Sequence, residues 1–193
     1  MMRAFVLGGA ALLMASAAQA GNGDELRCMQ KSYTAAQNGQ LDRLLPQVDL
    51  LGNADSPAMD PLGELVGEVV MGCATKHDWT DIEFETAILF EIGRLLETGM
   101  RRHGPLKQAE IAKVDAALAR GDRSALWSAI ERQVAVGMSG EEAVISDDDT
   151  VVMGAFMLEI GVGFDMTKAE QVGAFLATRA MQRASRREFT AEQ

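Results

Sequence analysis

Apolar residues recur at intervals of three and four along almost the whole chain, and no alternating run long enough for a strand interrupts them. The spacing predicts a helix over residues 24–38, ended by Asn38-Gly39, and a short helical piece around 41–45 before Pro46 and the turn-rich stretch 52–57. Asp60-Pro61 places a capping acid before a proline at a first helical position and opens a helix to about residue 76. Thr80-Asp81-Ile82-Glu83 is a capping box, and the helix it starts runs to His103 before Gly104. Pro105 opens the next, closed by Arg120-Gly121. Asp122 caps another, in which Leu126, Trp127, Ile130, Val134 and Met138 share one face. An apolar helix follows over residues 150–164. A second capping box, Thr167-Lys168-Ala169-Glu170, opens a last helix to about residue 187. The links are short, so neighbouring helices pack antiparallel: an all-α fold, a single compact bundle of six to seven helices over residues 21–193.

The first twenty residues stand apart from this pattern. Arg3 precedes an apolar run of about a dozen residues, and Ala18-Gln19-Ala20 supplies the small-x-small site of a cleaved secretory signal peptide. The run is shorter than the roughly 20 apolar residues a membrane span needs, and no other stretch meets that length. An exported chain starting at Gly21, periplasmic or secreted, is the expectation.

Export changes the meaning of the two cysteines. Cys28 and Cys73 are an even pair in an oxidising compartment, and no basic residue pattern beside either favours a reactive thiolate, so they are expected to form one disulfide. Without residues 1–20 the chain holds 17 basic against 28 acidic residues, a net charge of −11. That balance argues against a nucleic-acid partner.

Few positions point to chemistry. Glu159 is the one ionisable residue between Val151 and Phe164, in a helix apolar on all sides. Such a helix is normally buried, and a buried carboxylate has a raised pKa suited to general acid or base work. Glu91 lies at the margin of the apolar face formed by Phe84, Ile88, Ile92 and Leu95, within Ala87–Gly93, a seven-residue echo of Ala155–Gly161. Two inward carboxylates would make an acid/base pair; the bland alternative is that Glu159 sits on a narrow exposed strip or pairs with an arginine of the last helix.

Metal chemistry has little support. No Glu-x-x-His occurs, His77 and His103 read as exposed helix-end residues, and Asp147-Asp148-Asp149 lacks the spacing of a calcium loop. No cofactor is implied. Met153 and Met157, one turn apart, read as adaptable core filler or as the lining of a groove for an apolar ligand or protein partner. Lys168, Arg179, Arg183 and Arg186 fall on one stripe of the last helix, a face for an anionic partner or for intramolecular acids. Gly63 and Gly67, with Gly154, Gly161 and Gly163, interrupt helical patterns and read as points of close packing.

The reading that follows is a non-enzymatic binding or interaction module. An enzyme using Glu159 and Glu91, and an electrostatic adaptor using the C-terminal stripe, are the alternatives.

Overall fold

The computed structural model describes residues 21–51, 56–140 and 144–191. The signal-peptide reading of residues 1–20 therefore lies outside the described residues, as does most of the 52–57 turn. The described chain is all-helical, with no strand: α1 (Arg27–Ser32), α2 (Ala35–Leu44), α3 (Met59–His77), α4 (Asp81–His103), α5 (Gln108–Leu118), α6 (Ser124–Ser139), α7 (Asp147–Glu159) and α8 (Met166–Phe189). A 3-10 turn, Leu45–Gln47, extends α2. No helix among the described residues is long and apolar enough to cross a membrane.

Two long helices form the spine. α4 and α8 run antiparallel: Trp79, just before α4, meets Phe189 edge-on at 5.1 Å, while Arg101 at the other end lies 4.9 Å above the Phe175 ring. They press together at Gly93, where a Cβ would stand 2.9 Å from the Thr178 carbonyl oxygen. This spine divides the core into two clusters. One joins α1, α2 and α3 to the first part of α4 through Leu26, Met29, Leu62, Val66 and Val70. The other joins α5, α6 and α7 to α8 through Ile111, Val114, Trp127, Phe156 and Phe175. Cys28 and Cys73 stand at disulfide distance with Cα atoms 6.0 Å apart and tie α1 to α3.

Several boundaries differ from the sequence pattern for identifiable reasons. The single helix over 24–38 is two, because the Thr34 side chain accepts the Gln37 N–H and Gln37 Oε1 accepts the Thr34 N–H in return. This capping box restarts the chain after extended Tyr33. At α3 the helix begins at Met59, so Asp60 sits in its first turn and is not the cap. The Thr80–Glu83 box is present as read. At α8, however, Asp165 caps by accepting the Lys168 N–H, two residues before the expected box.

The apolar helix is shifted most. α7 starts at the Asp run, capped by Ser146, and stops at Glu159, because Gly161 (φ 80°) and Gly163 (φ 59°) adopt left-handed backbone and end it. Those two glycines terminate a helix; they do not pack one. Gly63, Gly67 and Gly154 also face open space, since a Cβ at any of them would meet nothing within 4 Å. The glycine that does allow close helix packing is Gly93.

Candidate functional site

α7 has no polar face, yet it is not buried as its composition implies. Phe156 is its one buried apolar side chain, while Val151 (70% exposed) and Leu158 (60% exposed) face outward. The helix is held at both ends by ion pairs. Near its start Arg132 of α6 donates to Asp149, and at its end Glu159 Oε1 accepts from Arg123 at 2.7 Å and Arg120 at 3.1 Å. The Arg123 and Arg120 guanidinium groups hold the Glu159 carboxyl below its ordinary range, the Arg123 hydrogen bond leading.

This overturns the expectation of a buried Glu159 with a raised pKa. The side chain lies at the surface beside two arginines from the turn between α5 and α6, so its charged form is favoured. Glu91 departs in the opposite sense. It has no exposed surface, and it is fully engaged: Tyr33 Oη donates to Oε1 at 2.8 Å, and Arg94 donates to both oxygens, at 2.5 and 2.8 Å. Burial first, and then the Glu91 charge, push the Tyr33 hydroxyl pKa up, which keeps it protonated as a donor. The two glutamates share no partner and do not form an acid/base pair. The echo they belong to is likewise split, since Gly93 sits inside α4 and Gly161 ends α7.

Between α6, α7 and α8 lies an apolar groove of about 310 Å³. Leu126, Ile130 and Val134 form its α6 wall, Met153, Phe156 and Met157 its α7 wall, and Leu176 part of its floor. Among the described residues, Gln133 is its one polar lining side chain. The groove exists because α8 presents Gly173 and Ala177 one turn apart, and a Cβ at Gly173 would touch nothing within 4 Å. Sequence reasoning finds Met153 and Met157 but misses the small pair on α8 that makes room opposite them; a one-turn spacing of Gly and Ala is the signal that could have found it.

The basic stripe of α8 is partly spent on internal acids. Lys168 pairs with Glu110 of α5 at 2.5 Å, Arg179 with Asp115 at 2.8 Å, and Arg183 approaches Glu131 at 3.6 Å. Arg186 donates only to the Gly23 carbonyl among the described residues, at 3.4 Å. Histidines add no ligand set. His103 is exposed as read, but His77 is half-buried, stacked on Trp79 and 4.0 Å from Glu25. No group of three potential His, Cys, Asp or Glu ligands occurs among the described residues.

No protein-family model matches the chain, and neither a curated protein nor a solved structure shows significant similarity to it.

Proposed function

We propose that this chain is an exported, non-enzymatic binding protein that holds a small apolar molecule in the groove between α6, α7 and α8. The observation that carries this reading is the groove's lining: about 310 Å³ walled by aliphatic, methionine and phenylalanine side chains, with the Gln133 amide as the polar group. That size falls at the small end of ligand pockets, which are mostly apolar with few orienting polar groups. Met153 and Met157 supply a soft wall that adapts to ligand shape. Transfer of apolar surface out of water supplies the driving force, roughly 25 cal/mol for each Å² removed.

The carboxylates support a binding role over a catalytic one. Both Glu91 oxygens are taken by Tyr33 and Arg94, which leaves neither free for a substrate, and Arg123 and Arg120 hold the Glu159 carboxyl below its ordinary range, the opposite of a general acid's raised pKa.

The test uses Nile red, a neutral apolar fluorophore. It is expected to bind saturably at one site with a blue shift. Binding is expected to disappear in Ala177→Phe, which fills the floor, and to weaken in the Met153→Gln, Met157→Gln double variant at an unchanged melting temperature. Glu159→Gln is expected to bind as the parent does. Unaltered binding in both groove variants would overturn the proposal.

A further inference from the structure

A second cleft, of about 390 Å³, opens further along α8, between α1, α4, α6 and α8. Arg94 comes from α4, Arg179, Arg183 and Arg186 from α8, and Glu97 is the single lining carboxylate among the described residues. Phe90 and Trp127 make the cleft partly apolar, which strengthens charge interactions there.

The arginines outnumber their acids. Among the described residues, Arg94, Arg101, Arg179, Arg183 and Arg187 share Glu91, Glu97, Asp115 and Glu131. Arg186 has no carboxylate partner among them. With Glu188, whose charge also acts on Arg187, six guanidinium groups meet five carboxylates, a surplus of one positive charge on a chain that is otherwise strongly acidic. The donors of Arg183 are also available. Arg94 is held by Glu91 through Nε and Nη2 and also meets the Tyr33 hydroxyl, so it contributes charge, while Arg183 makes no hydrogen bond to any described residue. The Arg183 guanidinium is instead held 4.6 Å above the Trp127 ring, which fixes its plane at the cleft wall. Gln182 keeps Glu97 occupied by donating to Oε2 at 2.8 Å, and Arg101 occupies Oε1 at 2.9 Å, so the one lining acid is already neutralised.

We propose that this cleft is a binding site for a small, multiply charged oxyanion, gripped by Arg183 and Arg186 with Arg94 behind them. Guanidinium forks match the paired oxygens of phosphoryl and carboxylate groups alike, so both sources share the required chemistry. The site is separate from the apolar groove and does not depend on it.

Isothermal titration of the purified protein at low ionic strength, with pyrophosphate in one arm and citrate in the other, tests the site and tells the two sources apart. At least one is expected to bind with one-to-one stoichiometry and to weaken as salt rises. The Arg183→Gln, Arg186→Gln double variant is expected to lose at least about tenfold in affinity, the scale of one charge-assisted hydrogen bond. Arg186→Gln alone, which breaks no ion pair among the described residues, supplies a folded variant and is expected to weaken binding in the same direction. Nile red binding is expected to be unchanged in both, so failure here is distinct from failure of the groove. Absence of saturation by either anion at millimolar concentration, or undiminished affinity in Arg186→Gln, would overturn the proposal.

Discussion

The Tyr33 hydroxyl donates a 2.8 Å hydrogen bond to Oε1 of Glu91, a carboxylate with no exposed surface. The bond ties the extended residue between α1 and α2 to the middle of α4, with Arg94 completing the carboxylate's partners. Removing one member of a buried charged set costs more than the set contributes, because the remaining charge is stranded. Arg94→Met is therefore expected to destabilise by about 3–5 kcal/mol. Tyr33→Phe, which leaves the ion pair intact, should cost about 1.5–3 kcal/mol, as for a hydrogen bond to a charged group. Urea unfolding followed by circular dichroism measures both, and equal losses would contradict this ordering.

Glycines on α3 and α4 predict opposite effects of one substitution. At Gly93 a methyl group would lie 2.9 Å from the Thr178 carbonyl oxygen and 3.1 Å from Gln182 Cγ, and the rigid backbone of α8 cannot yield. Gly93→Ala is expected to destabilise by about 1–3 kcal/mol through overpacking. At Gly67, in a helix interior with open space around it, alanine should stabilise by about 0.4–1 kcal/mol. Thermal melts of the two variants should move in opposite directions.

These glycines show where the sequence is legible and where it is not. Helical periodicity exposes the fold class and most of the described helices, because a local repeat records which face is buried. The Thr80 capping box is readable for the same reason, being complete within four residues. Gly67 and Gly93 look alike in sequence, and only the position of α8 separates them. Glu91 and Glu159 mislead together: their local patterns are nearly identical, but Tyr33 and Arg94 enclose one while Arg120 and Arg123 hold the other at the surface. Met153 and Met157 signal one wall of the groove, whereas Gly173 and Ala177 gain meaning only when α8 is brought opposite α7.

The cysteine pair makes a prediction of its own. Cys28 and Cys73 are 45 residues apart in sequence, and a crosslink closing a loop of that length stabilises by about 4 kcal/mol in the chain-entropy treatment. Cys73 has no exposed surface, so reduction is expected to be slow in the folded protein and fast in urea. Once reduced, the unfolding midpoint should fall by an amount matching that loss. A Cys28→Ala, Cys73→Ala double variant as stable as the parent would show that the loop is already ordered without the crosslink.

α7 should be the first helix released by acid. Asp149 near its start is held below the ordinary carboxylate range by the hydrogen bond from Arg132, and Glu159 at its end by those from Arg123 and Arg120. A carboxylate whose folded pKa lies below its unfolded value contributes stability above the unfolded value, about 3.9 for Asp and 4.3 for Glu. That contribution is lost as pH falls through the folded value. Protonation of Asp149 also removes negative charge from the first turn of α7, where that carboxylate complements the helix dipole. With Phe156 as its one buried apolar side chain and Val152, Met153 and Met157 only partly buried against the core, α7 is held less firmly than the two spine helices. Amide hydrogen exchange in α7 is therefore expected to accelerate below about pH 4 while α4 and α8 remain protected. Arg123→Gln should move that onset to higher pH by letting Glu159 titrate nearer its ordinary value. Because α7 is one wall of the apolar groove, Nile red release should track the same pH change and shift with Arg123→Gln. Exchange in α7 that stays pH-independent until the whole protein unfolds would show that its terminal ion pairs do not anchor it.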